Sequence, residues 1–315
     1  MKLFCCSVLV SATVPVAFGC DLCAIYNVAA AHGQANKGFS LSVAEQFTHF
    51  ATLQEKGAQV PDPTGQRLNS SITQVIAGYN FNERFSVQLG LPIIHRSFRR
   101  PEGFAIDRGS ESGLGDITLA GNFVAWRHEK MNSTFSWSVL GGVKFPTGDS
   151  RRLAEELNEV EVPGAPESGV HGHDLALGSG SVDGIIGTGI FARSHRLFFS
   201  ANVQYSIRTE GDYDYRFAND LMWAGGPGVF LALSESRTVA LQCVVSGETK
   251  GKDTFQSAPA ADTGITSVFV GPQINVTVGE NFSADVGVDL PVSIRNTALQ
   301  IVPNFRVRAG LTWRF

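Results

Sequence analysis

Hydrophobic and polar residues alternate along most of the chain with a period of two. The last segment, Phe305 to Phe315, is the clearest case, because one face is wholly apolar and the other carries three arginines. Side chains two apart in a strand share a face, so this pattern predicts a β-strand with one face in an apolar environment. The same alternation predicts about twelve strands: Phe39 to Leu53, Ser71 to Phe81, Phe85 to Arg96, Asp116 to Arg127, Thr134 to Phe145, Ser181 to Arg193, Leu197 to Arg208, Leu221 to Leu233, Thr238 to Gly247, Ile265 to Val278, Phe282 to Arg295 and Phe305 to Phe315.

The connections between these segments alternate in length. Short polar connections such as Asn82 to Arg84 and Gly279 to Asn281 are interleaved with longer ones, the longest running from Pro146 to Gly180. Barrels of the outer membrane have short periplasmic turns and longer outside loops, whereas a soluble β-sandwich has no reason to sort its loops by end. We therefore expect an all-β protein, in which residues 38–315 form a transmembrane antiparallel up-and-down β-barrel of about 12 strands.

The N-terminal residues have a different pattern. Residues 1–19 combine an early lysine, a short apolar stretch and small residues at the end, which predicts a secretory signal peptide. The following residues, 20–37, are expected to form a periplasmic or lumenal segment. Its Cys20 and Cys23 have three interpretations: a local disulfide, a metal site with His32 as an extra ligand, or lipidation of Cys20 after cleavage.

Composition narrows the class of protein. The chain is 43% hydrophobic and 17% charged, with a formal net charge of -4, which excludes disorder and a nucleic-acid binder driven by bulk positive charge. After the signal peptide the sequence lacks the uninterrupted apolar run of roughly 18 residues that a membrane helix needs. If the protein spans a membrane, it therefore does so with strands. The expected location is the outer membrane, whose lipid is then a partner.

Some positions conflict with simple alternation. Glu45 falls on the outward face and Trp126 on the inward face, and a bulge would re-aim either side chain. Prolines lack the N–H that a ladder needs, so bulges or early strand ends are expected at those inside strands, namely Pro92, Pro227, Pro272 and Pro291. Aromatic residues near the short turns predict an interfacial girdle: Tyr79, Phe81, Phe85, Trp126, Trp137, Phe199, Phe282, Trp313 and Phe315.

The C-terminal strand carries a polar-x-Gly-x-x-aromatic-x-aromatic pattern, formed by Arg308, Gly310, Trp313 and Phe315. This pattern is similar to the terminal signal that the outer-membrane barrel-assembly machinery reads. That machinery is therefore a second expected partner. Pairing of the last strand would close the barrel and remove a free edge.

Several sequence blocks carry a family resemblance: SGLGDITLAGNF (112–123), GVKFPTGDS (142–150), GSGSVDGIIGTGIFAR (178–193), DYRFANDL (214–221), SGETKGKD (246–253), DVGVDLPV (285–292) and VPNFRVRAGLTWRF (302–315). They resemble the family of outer-membrane transporters labelled with the meta-pathway of phenol degradation. The resemblance spans roughly the last two thirds of the chain and implies a barrel that transports solutes. Its motifs describe strands and turns rather than chemistry, so the word phenol is a label and not an identified ligand.

Charged residues at inward positions suggest how the barrel would function. By parity the lumen should be lined by Lys144, Asp183, Asp285, Asp289, Arg295, Arg306, Arg308 and Arg314. They would form either an electrostatically lined pore or a plug of mutual ion pairs. We expect a channel that passively transports small solutes, hydrophobic or aromatic ones included, without a cofactor. The alternative is a non-transporting surface barrel that presents its loops for binding.

Two further chemistries were weighed. His171, His173 and Asp174 lie close together in the longest loop and suggest a metal site, although solvated loops commonly contain such clusters. Barrel lipases need a serine and a histidine together on the outer wall. No such outward pair is evident in the sequence, where His49 is the only histidine well inside a predicted strand. We therefore do not expect an enzyme.

Overall fold

A computed structural model describes residues 37–157, 162–234 and 236–315 of the chain. The signal peptide, most of the segment 20–37 and its Cys20 and Cys23 lie outside these residues. Cys243 is free and exposed. The described strands are β1 (Gly38–Glu55), β2 (Ala58–Gln59), β3 (Arg67–Asn80), β4 (Phe85–Glu102), β5 (Ala105–Leu114), β6 (Thr118–Lys130), β7 (Ser133–Lys144), β8 (Asp183–Ser194), β9 (Leu197–Ile207), β10 (Tyr215–Arg216), β11 (Asp220–Leu233), β12 (Arg237–Lys250), β13 (Thr254–Phe255), β14 (Ala258–Pro259), β15 (Ile265–Val278), β16 (Phe282–Asn296) and β17 (Leu299–Arg314).

Twelve long strands form one closed antiparallel barrel, as predicted. Their order around the wall is β1, β3, β4, β6, β7, β8, β9, β11, β12, β15, β16 and β17, and pairing of β17 with β1 closes the circle. Three short strands, β10, β13 and β14, form a separate small sheet. In the part of the chain that the structure describes, helical structure is confined to two 3₁₀ segments, Arg151–Leu157 and Asp212–Asp214, and one α-helical turn, Gly172–Leu175. Among the described residues, no helix has the length and apolar character to span a membrane.

Connections at the two ends of the barrel differ as predicted, and we call these ends the short-turn end and the long-loop end. Two predicted loops are nevertheless strands. The region between Ser97 and Gly115 continues β4 and returns as β5, forming a hairpin that extends the wall at the long-loop end. The region between Asn296 and Asn304 likewise belongs mostly to β16 and β17. The charged and polar residues of both predicted loops therefore lie in strands, which extend further than the apolar alternation indicated.

The outer wall is apolar, with large side chains exposed on every second position. Leu290, Val292 and Leu311 are each more than half exposed, at 54%, 59% and 54%. Such a surface is unfavourable in water and favourable in hydrocarbon. Aromatic rings gather at the short-turn end, where Phe81 stacks on Phe85 with ring centroids 5.4 Å apart.

The two positions that conflicted with alternation have different outcomes. A register shift between Val124 and Trp126 turns the Trp126 ring outward, where it is 62% exposed. Glu45 stays on the outer face without a bulge, and its carboxylate accepts hydrogen bonds from the Ser71 hydroxyl at 2.5 Å and from the Thr73 hydroxyl. Neighbouring hydroxyls thus compensate for an acidic side chain on the apolar wall.

Prolines mark interruptions of the ladder, but of the four expected positions only Pro291, which pairs with Phe269, lies at a register shift. At Pro92 the free edge of β4 changes partner from β6 to β5. Pro227 lies where the β11–β12 ladder skips residues, and Pro272 lies in the corresponding gap between β15 and β16. A missing N–H costs least where no bond is made.

One interruption leaves a split in the wall. The β16–β17 ladder runs from the Phe282 and Trp313 pair to the Asp289 and Arg306 pair and then stops. Beyond it, residues 290–296 pair only with β15 and residues 299–305 only with β1. Pro291 and Pro303 border this split, which occupies the half of the wall nearer the long-loop end.

Candidate functional site in the barrel lumen

A long loop fills the lumen at the long-loop end, and we call its described residues, 146–157 and 162–180, the plug. Its apolar side chains are buried against the inner wall. Val170 and Leu175 are fully buried with Leu68 and Phe98, whereas Leu177 packs with Ala44, Ile72 and Ile94. The inner faces of β3 and β4 are therefore partly apolar, which differs from the polar interior that the alternation implied.

Polar contacts also dock the plug. The buried Arg96 guanidinium donates to the main-chain oxygens of Asp174 and of Ala176, the latter at 3.2 Å. Gln66 accepts from the Gly169 amide at 2.7 Å, and the Ile301 amide donates to the Gly169 oxygen at 2.9 Å. Because both apolar and hydrogen-bonding groups match, the plug is a packed part of the lumen rather than a loop displayed above it.

A first cluster of charges links β7, β8 and β11 with Asp116 and Arg208, and the Asp116 carboxylate also accepts from the Ser179 amide of the plug at 3.0 Å. Lys144 Nζ lies 2.5 Å from Asp116 and 2.9 Å from Asp183. Arg208 bonds Asp183 at 2.9 Å and Asp220 at 2.6 Å. All these side chains are buried. The predicted inward residues Lys144 and Asp183 are thus neutralised at the long-loop end.

A second group of charges lies on β12, β16 and β17. Arg306 bonds Glu248 at 2.5 Å, and its guanidinium lies 4.1 Å from the centroid of the Phe269 ring. Arg308 forms two bonds with Asp289, at 2.7 and 2.8 Å, across the neighbouring strands. Such forked pairs have the geometry that favours arginine with carboxylate.

The structure places seven of the eight predicted lumenal charges on the inner face, and Arg295 is the exception. Ile294 pairs with the inward Ser267, so Arg295, which pairs with Thr266, lies on the outer face and is exposed. A register shift between Val268 and Phe269 inverts the parity there. Asp285 is inward and buried, and Arg314 is inward at the short-turn end. The role of these seven charged residues as the lining of an open pore stays a prediction.

The histidines of the plug form ion pairs. Buried His173 places Nδ1 3.0 Å from Glu156 Oε1 and Nε2 3.6 Å from Asp174 Oδ1. Burial alone would lower the pKa of His173, but the Asp174 and Glu156 carboxylates outweigh it and raise that pKa to about 10. Burial would raise the pKa of Glu156, but the His173 charge lowers it to about 2.

In this geometry the histidines form ion pairs, which does not favour the metal interpretation of the cluster. Among the described residues, no group of three or more His, Cys, Asp and Glu side chains could hold a metal ion. His171 instead stacks on His173 with ring centroids 5.6 Å apart, and its Nε2 lies 3.5 Å from Asp262. The cluster therefore ties the plug to the loop that follows β12.

A belt of polar side chains with unfilled hydrogen-bonding capacity lies on the inner wall, and we call it the collar. Its atoms are buried and have no hydrogen-bond partner within the described ranges: Gln46 Nε2, Gln74 Oε1, Thr118 Oγ1, Asn202 Oδ1 and Gln204 Oε1. Buried amide and hydroxyl groups almost always find a partner. The collar is thus a polar section of the inner wall that differs from the paired charges of the long-loop end.

A cavity of about 620 Å³ opens at the short-turn end, and we call it the vestibule. One wall carries inward phenylalanines from β8, β9 and β11, with Phe198 5.9 Å from Phe191 and 5.0 Å from Phe230 between ring centroids. Gly228 makes room for them, since a Cβ there would lie 2.1 Å from the Phe198 ring. Arg193 and Arg314 also line the vestibule. Sequence reasoning missed the three phenylalanines, although period two within β8 and β9 would have shown Phe191 and Phe198 to be inward.

The outer wall does contain a serine and histidine pair, contrary to our expectation. His95 Nδ1 lies 2.5 Å from Ser112 Oγ, and both side chains are exposed. Ser112 was assigned to a loop, so the β4–β5 pairing that joins the two was not anticipated. Among the described side chains, none contacts the second nitrogen of His95 to orient it, so the pair lacks the third member of a triad.

Three residues of the predicted assembly signal lie along β17, and the fourth, Phe315, directly follows it. Trp313 and Phe315 are exposed at the short-turn end, with ring centroids 6.4 Å apart. Gly310 faces Asp285, and a Cβ at Gly310 would lie 2.6 Å from Asp285 Oδ1. The glycine therefore leaves space for a buried carboxylate. Recognition of these residues by the assembly machinery stays a prediction.

Comparison with known families supports the resemblance seen in the sequence blocks. A family model described as "Putative MetA-pathway of phenol degradation" matches residues 54–156. The match includes the blocks 112–123 and 142–150 and ends within the plug, so it is shorter than the resemblance noted from the sequence. No curated protein matches the chain.

Solved structures identify the fold. The chain is similar to the COG4313 outer membrane channel from Pseudomonas putida F1, with a TM-score of 0.61 and 14% identity, over 90% of this chain and 98% of that one. The translocator domain of autotransporter NalP from Neisseria meningitidis (TM-score 0.43, 13% identity, 92% and 93% covered) and the CymD monoaromatic hydrocarbon channel (0.37, 8%, 96% and 95%) are less similar. We draw the fold, that of an outer-membrane β-barrel, from the first similarity alone.

Proposed function

We propose that this protein is an outer-membrane channel that passively transports small solutes, hydrophobic and aromatic ones included. The observations that carry the proposal are the collar of polar groups on the inner wall and the vestibule of about 620 Å³ at the short-turn end. A barrel needed only for its wall would gain stability by pairing or replacing these groups. As a transport path, they substitute for the water that a solute leaves behind.

The plug is the proposed gate of this channel. In the orientation predicted from the sequence, the long-loop end is extracellular and the short-turn end is periplasmic. The plug fills the extracellular half through apolar contacts and ion pairs, whereas the periplasmic half holds the open vestibule. Passage from outside therefore requires the plug to move, and the surface-displaying alternative is less well supported because its longest loop is folded inward.

The split between β16 and β17 is a proposed second route for apolar solutes. A cavity of about 80 Å³ beneath the plug is lined by Ile301, Pro303 and Arg306 of β17 and by Ser267 of β15, the strands on either side of the unpaired part of β16. An apolar solute could pass between this cavity and the lipid without breaking ladder hydrogen bonds, since none joins β16 to β17 there.

The channel can be tested by single-channel recording and by liposome swelling. Each is measured with the collar intact and with the collar blocked by a bulky side chain. Gln204 faces the lumen and is buried, whereas its neighbour Val203 faces outward and is 40% exposed. Gln204→Trp should reduce swelling with small sugars several-fold, and Val203→Trp should leave it unchanged. If neither the folded wild-type protein nor a His173→Gln variant, whose plug is destabilised, shows conductance or swelling, the non-transporting alternative is correct. If Gln204→Trp conducts like wild type, the collar is not the path.

A further inference from the structure

The short-turn end differs from the rest of the lumen in how its cations are neutralised. At the long-loop end, the inward Lys144, Arg208 and Arg306 each contact a carboxylate within 3 Å. Within the described ranges, neither Arg193 nor Arg314 has a carboxylate at ion-pair distance. Arg193 donates only to neutral oxygens, those of Thr134 and the His195 main chain, both at 3.2 Å. Two cationic groups therefore keep unbalanced charge at the vestibule.

These arginines share a cavity with an apolar aromatic surface. Arg314 is on β17 and Phe198 is on β9, nearly opposite each other around the twelve-strand wall. Arg193 projects from the same strand as Phe191. The vestibule, about 620 Å³, is of the size that takes small organic ligands, which are typically held by apolar walls and a few polar groups.

We propose that the vestibule is a binding site for aromatic carboxylates, anions that combine one ring with one carboxyl group. The phenylalanine wall takes the ring, and Arg314, assisted by Arg193, takes the carboxylate. Arginine suits this task because its planar fork matches a carboxylate and stays charged at all physiological pH values. Glu280 in the adjoining turn and Lys37 also line the vestibule, so the cationic side chains outnumber the acidic one.

This inference rests on the proposed function and deepens it by naming a solute class. A solute held by its charge cannot leave through the apolar split, so its route is the open mouth at the short-turn end. The wall of phenylalanines alone would accept neutral aromatic molecules equally well. Tighter binding of an aromatic carboxylate than of the corresponding neutral alcohol would therefore be due to the arginines.

Equilibrium dialysis of the mature, detergent-solubilised protein tests the site without requiring transport. The probes are benzoate, benzyl alcohol and acetate, which separate ring and charge. We expect benzoate to bind at least 10-fold more tightly than either of the others. Arg314→Gln should weaken benzoate binding about 10- to 100-fold, the range for loss of a hydrogen bond to a charged group, and should leave benzyl alcohol binding unchanged.

Matched variants exclude general effects of charge and fold. Arg295→Gln removes the same charge from the outer wall and should leave benzoate binding unchanged. Phe198→Leu should weaken benzoate and benzyl alcohol alike, whereas Phe199→Leu, on the outward face, should weaken neither. Each variant should stay folded in detergent that has not been heated, which verifies the barrel. If Arg314→Gln does not fold, Arg193→Gln replaces it in the binding test.

The outcomes separate this inference from the channel proposal. Equal binding of benzoate and benzyl alcohol, or benzoate binding unaffected by both arginine variants, overturns the carboxylate site even if the barrel conducts. Selective benzoate binding in a barrel that never conducts supports the site and refutes transport. Block of channel current by benzoate added at the short-turn side, weakened in Arg314→Gln, would support both.

Discussion

His173→Gln should unfold the plug and thereby release it from the lumen, because His173, Glu156 and Asp174 are all plug residues. The protonated imidazole lies between Glu156 and Asp174, and the Glu156 carboxylate also accepts from the His173 amide at 2.9 Å. Glutamine fills much of the same space but carries no charge. The substitution therefore leaves buried carboxylates without their cation while preserving the apolar anchors of the plug, Val170 and Leu175.

The size of the effect follows from the buried ion pair. Removing one partner of such a pair costs about 3–5 kcal/mol. The rise of the His173 pKa from 6.5 to about 10 corresponds to about 5 kcal/mol, and the fall of the Glu156 pKa from 4.5 to about 2 to about 3 kcal/mol, at 1.4 kcal/mol per pH unit. The histidine value is larger because Asp174 and Asp262 also act on His173. The equilibrium between the folded and the unfolded plug should thus shift by about 100- to 4000-fold.

Proteinase K cleavage within the plug, in purified protein and in intact cells, measures this release. We expect His173→Gln to be cleaved at least 100-fold faster than wild type, with the barrel fragment still resistant to unheated detergent. Arg151→Gln is the matched control from the same loop. Arg151 pairs with Asp149 at 2.5 Å, but its side chain is 82% exposed, so water screens the pair and cleavage should not change.

The pH dependence gives an independent check. The Glu156 pKa is lowered, so its contribution is complete above 4.5 and lost as the pH falls toward about 2. The His173 pKa is raised, so its contribution is complete below 6.5 and lost as the pH rises toward about 10. The plug should therefore stay docked at neutral pH. Unchanged cleavage of His173→Gln, or release of the wild-type plug with a midpoint near pH 6.5, would refute the reasoning.

Three further predictions concern the wall. Asp183→Asn should lower the free energy of unfolding in urea by about 3–5 kcal/mol, because buried Lys144 and Arg208 lose a shared carboxylate. Glu129→Gln, at an exposed pair on β6, should change this free energy little. Equal effects of the two substitutions would contradict the assignment of Asp183 to a buried charge cluster. Gly310→Ala should lower the fraction of protein that assembles into a detergent-resistant barrel, since its Cβ would lie 2.6 Å from Asp285 Oδ1, whereas Ala309→Gly on the outer face should not. Hydrogen exchange should be faster in residues 290–296 than in residues 282–289 of the same strand, because only the latter pair with β17, and uniform protection along β16 would show that the split is closed.

Errors in predicting the lumenal residues have one physical origin. Parity assigned Lys144, Asp183 and Arg308 to the inner face, where the structure places them, because no bulge lies between them and the apolar pattern of their strands. Parity was wrong for Arg295, where a register shift between Val268 and Phe269 in the β15–β16 ladder inverts the faces. A bulge adds one residue to one strand, and no local sequence signal specifies its position to within that residue.

The contacts that define the site had even less local signal. Arg96 and Asp174 are 78 positions apart, so their contact depends on where the plug docks. Asp183 and Arg208 are 25 apart and meet through the register of the β8–β9 hairpin. The His95 and Ser112 pair was missed because Ser112 was assigned to a loop. The vestibule was missed because inward phenylalanines on separate strands form a surface only when the wall curves and brings them together.

The sequence by itself determined the barrel: period-two alternation requires that one face meets an apolar phase, and alternating connection lengths require antiparallel neighbours with two unlike ends. Both properties are local, since they depend on residues two apart or on adjacent strands. Tertiary structure alone decided that the longest loop folds inward and that the wall is split beside Pro303. It also decided that the charges at one end are paired while Arg193 and Arg314 at the other have no ion-pair partner among the described residues. These outcomes depend on the balance between desolvation and pairing among groups far apart in the chain, and that balance exists only once the wall has closed.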